Sequence, residues 1–338
     1  RQVLVVACPG QGSQTPGMLS PWLEDPNLDS TFSQLLAASQ TAVDLRHLGT
    51  AADAEEIRDT GVAQPLIVAS SLLAWEAVTA QLGSTPAELL PNVVAGHSVG
   101  ELAAAAVAGA ISPATAVSLV SVRGQAMAKA AAEAQTGMAA VVGGNSDEVW
   151  AAIQNAGLTP ANVNSASQVV AAGSLEQIEF LVANPPAKSR VVPLQVAGAF
   201  HTSYMASAQE TFASAVAQAS FTAPRATLLS NADGQAFQLA GVGGEHQDQT
   251  VAGQVASRLV SQLTNPVRWD LCQQSLRDLG VTALLELAPG GVLAGLAKRE
   301  LKGIEIVAIK SPADLEAAAD LVRNHLDTTF TQSTPEDK

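Results

Sequence analysis

An α/β fold, built on a parallel sheet covered by helices, is predicted by two features of the sequence. Short β-branched runs such as Val3 to Ala7 and Val93 to Ala95 end at proline or glycine turns. Helix-forming stretches of about a dozen residues or more separate such runs. Strands this apolar, alternating with helices, belong in a parallel sheet buried on both faces.

Val3 to Ala7 is closed by Pro9 and Gly10, the mark of a buried strand entering a turn. Val93 to Ala95 has the same character and runs into the turn Gly96 to Gly100. From Glu101 to Ala108 the residues are strong helix formers. Another helix starts at Pro113, where a first-turn proline is tolerated, with Ser112 as its cap. Ala283 to Leu287 and Ile304 to Ile309 read as later strands, the first stopped by Pro289 and Gly290. The middle of the chain has another rhythm: strand Met138 to Val142, helix Ser146 to Asn155, strands Leu158 to Asn164 and Val169 to Ala172, helix Ser174 to Val182, strand Arg190 to Val196. That β-α-β-β-α-β order is the ferredoxin-like pattern, expected as a self-contained insertion between about Gly137 and Gly198. The predicted division is a large part, residues 1–136 and 199–338, around a small part, residues 137–198. The polar tail from Asp327 to Lys338 is expected to fray.

The 338 residues amount to roughly two domains at ~150 residues each. With 47% hydrophobic and 14% charged residues, against about 25% charged in an average soluble protein, disorder as the main state is excluded. Seventeen basic against 31 acidic residues give a net charge of −14, which argues against broad adhesion to nucleic acid or an anionic membrane. Apolar runs such as Leu66 to Ala69 and Val3 to Cys8 fall short of the ~20 residues that span a bilayer, and no charged leader with a cleavage site precedes them. A cytoplasmic protein is expected. Cys8 and Cys272 form neither a disulfide framework nor a metal-ligand spacing, so both are expected to be core residues, with no metal site.

Gly96, His97, Ser98, Val99 and Gly100 form Gly-x-Ser-x-Gly between a predicted strand and a predicted helix. A serine on such a turn is raised above the sheet edge, and the glycines remove side chains that would collide with strand and helix. The Val99 N–H, at the helix start, is placed to donate to an oxyanion. The serine needs a base. His47 and His246 lie in polar, loop-like surroundings, His325 lies near the tail, and the side chain of His97 should point away from Ser98, which leaves His201. The acids Glu133, Asp147, Glu148, Glu176 and Glu179 sit where solvated charge is the ordinary explanation, so either an acid or a backbone carbonyl could orient the imidazole. Arg123 falls on the apolar stripe of its helix with Leu119, Val120 and Met127, and no Asp or Glu stands at i±3 or i±4. Its guanidinium either snorkels to the surface or meets a carboxylate from elsewhere in the chain or from a ligand. Gly10, Gln11, Gly12, Ser13 and Gln14 resemble a dinucleotide fingerprint only in part, since Thr15 replaces the third glycine. As a tight turn after a strand they fit a second oxyanion donor better.

Taken together, Gly10 to Gln14, Gly96 to Glu101, Arg123 and Gly198 to Thr202 resemble the malonyl-CoA:acyl carrier protein transacylases of fatty acid synthesis. The resemblance extends over nearly the whole chain: Ala63 to Leu66 with Gln64, Asn162 to Ser165, Gln168 to Gly173, Gln262, Asn265, Pro266 and Trp269, and Pro289, Gly290, Val292 and Leu293 leading to Lys298 and Arg299. It departs at Ala288, where the family usually has glycine, at Gly291, where a lysine is common, and in the variable stretch Gly241 to Thr250.

The resemblance implies a serine-hydrolase-like large part and a two-step acyl transfer. Ser98, deprotonated by His201, attacks malonyl-CoA; the N–H groups of Gln11 and Val99 hold the oxyanion; the malonyl carboxylate pairs with Arg123; and the thiol of acyl carrier protein takes the acyl group. It further implies that the carbonyl of Gln262 orients His201 and that Gln64, Asn164 and Phe200 line the substrate pocket. No cofactor is implied, the coenzyme A thioester being a substrate. An acidic carrier protein would need a local cationic patch, for which Lys298, Arg299 and Lys302, with Lys188 and Arg190 as a second cluster, are candidates. The competing readings are a polyketide-type acyltransferase, against whose methylmalonyl-selecting members Val99 and Phe200 speak, a serine esterase, and a non-catalytic binding module.

Overall fold

The computed structural model describes residues 1–328; the tail expected to fray lies, after Thr328, outside the described residues. In chain order the strands are β1 (Leu4–Cys8), β2 (Val93–Gly96), β3 (Thr136–Gly143), β4 (Thr159–Ser165), β5 (Gln168–Ser174), β6 (Ser189–Pro193), β7 (Thr227–Leu228), β8 (Val267–Arg268), β9 (Ala283–Glu286) and β10 (Glu305–Ala308). Five of them form an all-parallel sheet in the order β10-β9-β1-β2-β7.

β1 shows how the sequence dictates this layer. Val3, Val5 and Ala7 pack into one core with Trp269, Leu276 and Leu293. Leu4, Val6 and Cys8 pack into another with Leu66, Trp75 and Val120. Side chains alternate faces along a strand, so a run that is apolar in both phases has to be covered on both sides. Cys8 and Cys272 are buried free thiols, and burial pushes both well above the ordinary thiol range.

The helix Thr60–Gln81 was not legible as a unit. Its 22 residues are long and apolar enough to cross a membrane by length and composition, yet 89% of its most apolar window is buried inside the protein. Polar residues break the apolar run in the sequence, and the fold hides them by hydrogen bonding. Ser70 Oγ donates to Leu66 O at 2.7 Å, and Ser71 Oγ to Ala288 O at 2.7 Å.

The middle of the chain gives strand, helix, strand, strand, helix, strand, with sheet order β6-β3-β5-β4-β8. β3 pairs antiparallel with β5 and β6, and β4 with β5. The helices Ser146–Asn155 and Leu175–Ala183 share a core with Ala139, Val141, Val169 and Ala171 on one face of this sheet. The other face, with Met138, Ala140, Val170 and Ala172, belongs to the core of the large part. The small part is therefore not the self-contained insertion expected. Its second face is apolar and needs cover, and β8, from the large part, extends its sheet by pairing parallel with β4 at Asn162 and Val267. The expected strands Leu158 to Asn164 and Arg190 to Val196 form as Thr159–Ser165 and Ser189–Pro193, the latter ending where the chain leaves toward His201.

Candidate active site

β2 stops at Gly96 and a helix starts at Gly100, leaving three residues for the reversal between them. Ser98 takes φ 55°, a left-handed conformation that costs a non-glycine residue roughly 1–3 kcal/mol. Space dictates the flanking glycines: a Cβ on Gly96 would lie 2.1 Å from Gly100 O, and one on Gly100 would lie 2.2 Å from Cys8 O. Close backbone packing thus fixes the serine past the carboxyl edge of the sheet.

His201 also has positive φ, 62°, and is 2% exposed. Its Nε2 stands 2.7 Å from Ser98 Oγ and its Nδ1 2.8 Å from the carbonyl oxygen of Gln262. A carbonyl only accepts, so Nδ1 carries the proton and Nε2 accepts from the Ser98 hydroxyl. Burial, then the neighbouring Arg123 charge, push the imidazole down to about 3, so it is neutral at physiological pH. Beside the elbow, the turn after β1 packs tightly: a Cβ on Gly10 would lie 2.9 Å from His97 O. The Gln11 and Val99 backbone N–H groups donate to no acceptor among the described residues.

Arg123, 2% exposed, does not snorkel. Its Nη1 donates to Gln64 Oε1 at 2.8 Å and its Nη2 to Gln262 Oε1 at 2.6 Å. Two amide oxygens stand where the sequence suggested a carboxylate. The acid lies one bond further on: the Gln262 Nε2 donates to Glu101 Oε1 and, at 2.9 Å, to Ser98 O. Asn231 donates its backbone N–H to Glu101 Oε2 at 2.9 Å, accepts from the Ser98 N–H at 2.9 Å and donates Nδ2 to Gly96 O at 2.6 Å. Burial lowers Arg123 only to about 10, so it stays cationic, and raises Glu101 to about 7 against the pull of its hydrogen bonds and of Arg123.

Ser98, His201, Arg123, Gln64 and Gln262 therefore meet in one hydrogen-bonded cluster. Asn164 bonds the neighbour of the nucleophile, its Oδ1 lying 2.7 Å from His97 Nε2, so the His97 imidazole is engaged by Asn164. Phe200 is buried against Gly198, where a Cβ would lie 2.7 Å from its ring. The structure does not bring Lys298, Arg299 and Lys302 to the serine. Lys302 shortly precedes Glu305, which pairs with Ala283, itself paired with Leu4 at the amino edge of the large sheet. Ser98 lies beyond the opposite edge, after Gly96 and Cys8. A cleft of about 220 Å³ lies between the turn after β1 and the segment after β6, lined by Gln11, Gly12, Gln14, Arg58, Gln195 and Val196.

Sequence reasoning missed Glu101, Asn231 and the side chain of Gln262. The available sign was an acid in the first turn of an otherwise apolar, alanine-rich helix directly after the nucleophile. Among the described residues no group of three or more His, Cys, Asp or Glu side chains is placed to hold a metal ion.

A family model described as acyl transferase domain matches residues 5–334. The chain is 49% identical over 320 residues to a protein of Mycobacterium tuberculosis named malonyl CoA-acyl carrier protein transacylase, covering 94% of this chain and 100% of that one. It is 34% identical over 320 residues to the Escherichia coli protein of the same name, covering 93% and 97%. The crystal structure of MCAT from Mycobacterium tuberculosis superposes with a TM-score of 0.85 at 48% identity, covering 94% of this chain and 99% of the other. A malonyl-transacylase solved in complex with a type II PKS acyl-carrier protein superposes with a TM-score of 0.81 at 30% identity, covering 94% and 99%.

Proposed function

The chain belongs to the acyl transferase domain family, and from that premise we propose that it transfers the malonyl group of malonyl-CoA to the thiol of acyl carrier protein through an ester on Ser98. The observation that carries the reading is the Ser98–His201 pair set beside a buried, charged Arg123 that no side-chain carboxylate touches directly.

In the first half-reaction the Ser98 hydroxyl gives its proton to His201 Nε2 while Oγ attacks the thioester carbon. The resulting oxyanion is held by the N–H groups of Gln11 and Val99. The Gln262 carbonyl, accepting from Nδ1, steadies the imidazolium formed. Collapse breaks the carbon–sulfur bond, and His201 returns its proton to the departing coenzyme A sulfur. In the second half-reaction the carrier thiol gives its proton to Nε2, its sulfur attacks the ester, and Ser98 leaves with that proton. Arg123 uses two of its five N–H groups on Gln64 and Gln262, so three are left for the malonyl carboxylate. Asn164 and Phe200 belong to the proposed pocket wall. No cofactor enters, because the thioester is itself the activated donor.

The strand and helix order of the middle segment supports a ferredoxin-like small part, residues 137–198, seated on a serine-hydrolase-like large part. Lys298, Arg299 and Lys302 are kept as the proposed carrier docking patch, although they stand toward the amino edge of the large sheet and Ser98 beyond its carboxyl edge. A cytoplasmic location is part of the proposal. A second reading, service of a polyketide carrier, is favoured by the likeness to the complex with a type II PKS carrier protein.

Intact mass spectrometry after brief exposure to malonyl-CoA tests the reading. A malonyl adduct on Ser98 that passes to acyl carrier protein is expected, and competition between the two carrier types separates the pathways. An adduct lost only to water would make the protein an esterase, and no adduct would leave a binding module.

A further inference from the structure

Glu101 touches neither the nucleophile's hydroxyl nor the base, and the reaction above gives it no step. It is nonetheless among the most constrained acids in the molecule, 6% exposed, with both carboxylate oxygens occupied. One accepts from Asn231 N–H and the other from Gln262 Nε2. Each oxygen receives an N–H donor, the pattern of the ionised side chain, which only accepts, and with its pKa raised to about 7 this form prevails above neutral pH. It therefore obliges the Gln262 amide to present its nitrogen to Glu101 and its oxygen to Arg123 Nη2, 2.6 Å away. The orientation of one buried amide decides whether the guanidinium meets an acceptor or a competing donor.

The placement also solves a charge problem. A guanidinium 2% exposed keeps its charge, and burying that charge is costly unless an opposite charge stands nearby. A carboxylate in direct contact would supply it and would occupy the fork that a substrate carboxylate needs. With a neutral amide between them, Glu101 offsets the buried charge of Arg123 while leaving N–H groups unclaimed.

Resting on the malonyl-transfer reading, we infer that Glu101 is a positioning residue for substrate selection: acting through the Gln262 amide, it aims Arg123 at a carboxylate-bearing acyl group. Replacing it by an amide breaks the scheme. Glutamine offers one acceptor oxygen where Asn231 N–H and Gln262 Nε2 supply two donors, so Gln262 turns its nitrogen toward Arg123.

The test compares acylation by malonyl-CoA and by acetyl-CoA in wild type, Glu101→Gln and Glu101→Asp, with thermal melts to establish folding. In Glu101→Gln the malonyl-to-acetyl ratio of kcat/KM is expected to fall at least about tenfold, through KM for malonyl-CoA, the size of one lost charge-assisted hydrogen bond. Glu101→Asp keeps the charge but not the reach, and its ratio is expected to fall between the other two. An unchanged ratio, or equal losses toward both substrates, would overturn the inference and leave Glu101 with a purely structural role. Should Glu101→Gln not fold, the ratio in Glu101→Asp decides by the same criterion. Wild-type protein that forms no malonyl adduct would instead remove the parent reading, whatever the variants do.

Discussion

The two ends of the site hold negative charge by opposite means. At the Ser98 end the charge is brief, and its proposed partners are backbone N–H groups that donate to no acceptor among the described residues, on turns set by glycine packing at positions 10, 96 and 100 and by hydrogen bonds from Asn231 and Gln262. At the Arg123 end the charge is permanent, and its partner is a long side chain tied to Gln64 and Gln262, with Glu101 behind them. A backbone donor is positioned by the course of the chain. A guanidinium on the apolar face of a helix needs countercharge, acceptors and a fixed amide orientation. Damage at the first end should therefore slow every acyl group alike, and damage at the second should change which acyl group is chosen.

The largest expected effect lies outside this contrast and anchors it. Ser98→Ala should abolish malonyl adduct formation while melting like wild type, as read by intact mass and calorimetry; label accumulating at the wild-type rate would remove Ser98 as nucleophile. Next, Arg123→Ala should cost about 2–5 kcal/mol of transition-state binding toward malonyl-CoA. Its weak reaction with acetyl-CoA should hold level or improve, and equal losses would erase the distinction between the two ends. Gly10→Ala breaks the other end, since its Cβ would press on His97 O at 2.9 Å and shift the Gln11 turn. Rates for both acyl groups should fall by up to about 10²-fold, with their ratio preserved. Smaller still, reversing Lys298 and Arg299 to glutamate should raise KM for carrier protein and change its salt dependence while adduct formation from malonyl-CoA stays near normal.

The smallest expected effect is a flat response. With its pKa pushed down to about 3, His201 should not titrate between pH 5 and 8 when followed by NMR of the labelled imidazole. Because the folded value lies below the unfolded one, near 6.5, this group's contribution to stability is fully present above about pH 6.5 and is lost as the pH falls toward 3. A titration centred near 6.5 would mean that Arg123 and burial do not act on the base.

Much of the first end was legible in the sequence, and little of the second. A Gly-x-Ser-x-Gly between strand and helix is a local pattern whose geometry follows from neighbouring residues. His201 could be reached by elimination among five histidines. The partners of Arg123 could not, because Gln64, Gln262 and Glu101 come from three distant segments, and glutamine has no spacing rule that announces it. Helix periodicity put Arg123 on the apolar face but left open whether its guanidinium snorkelled, and the partner it suggested was a carboxylate, not an amide. β7 and β8 escaped for a simpler reason, being two residues each, too short for any alternation to register. The strand order of the small part was legible from its own residues; that its second face belongs to the large core was not.

That shared face, and the β4–β8 seam at Asn162 and Val267, bear on modularity. Residues 137–198 form a contiguous stretch that invites transplantation between relatives to exchange acyl preference. Lifted out alone, the stretch would lose an edge strand and bare Met138, Ala140, Val170 and Ala172. Asn164 would also part from Gln273, which donates to its backbone oxygen at 2.9 Å, and from His97 beside the nucleophile. The natural unit of exchange is therefore discontinuous, pairing 137–198 with the run from Gln262 through Gln273, and chimaeras cut at the insertion boundaries alone should express poorly where those that carry both segments fold.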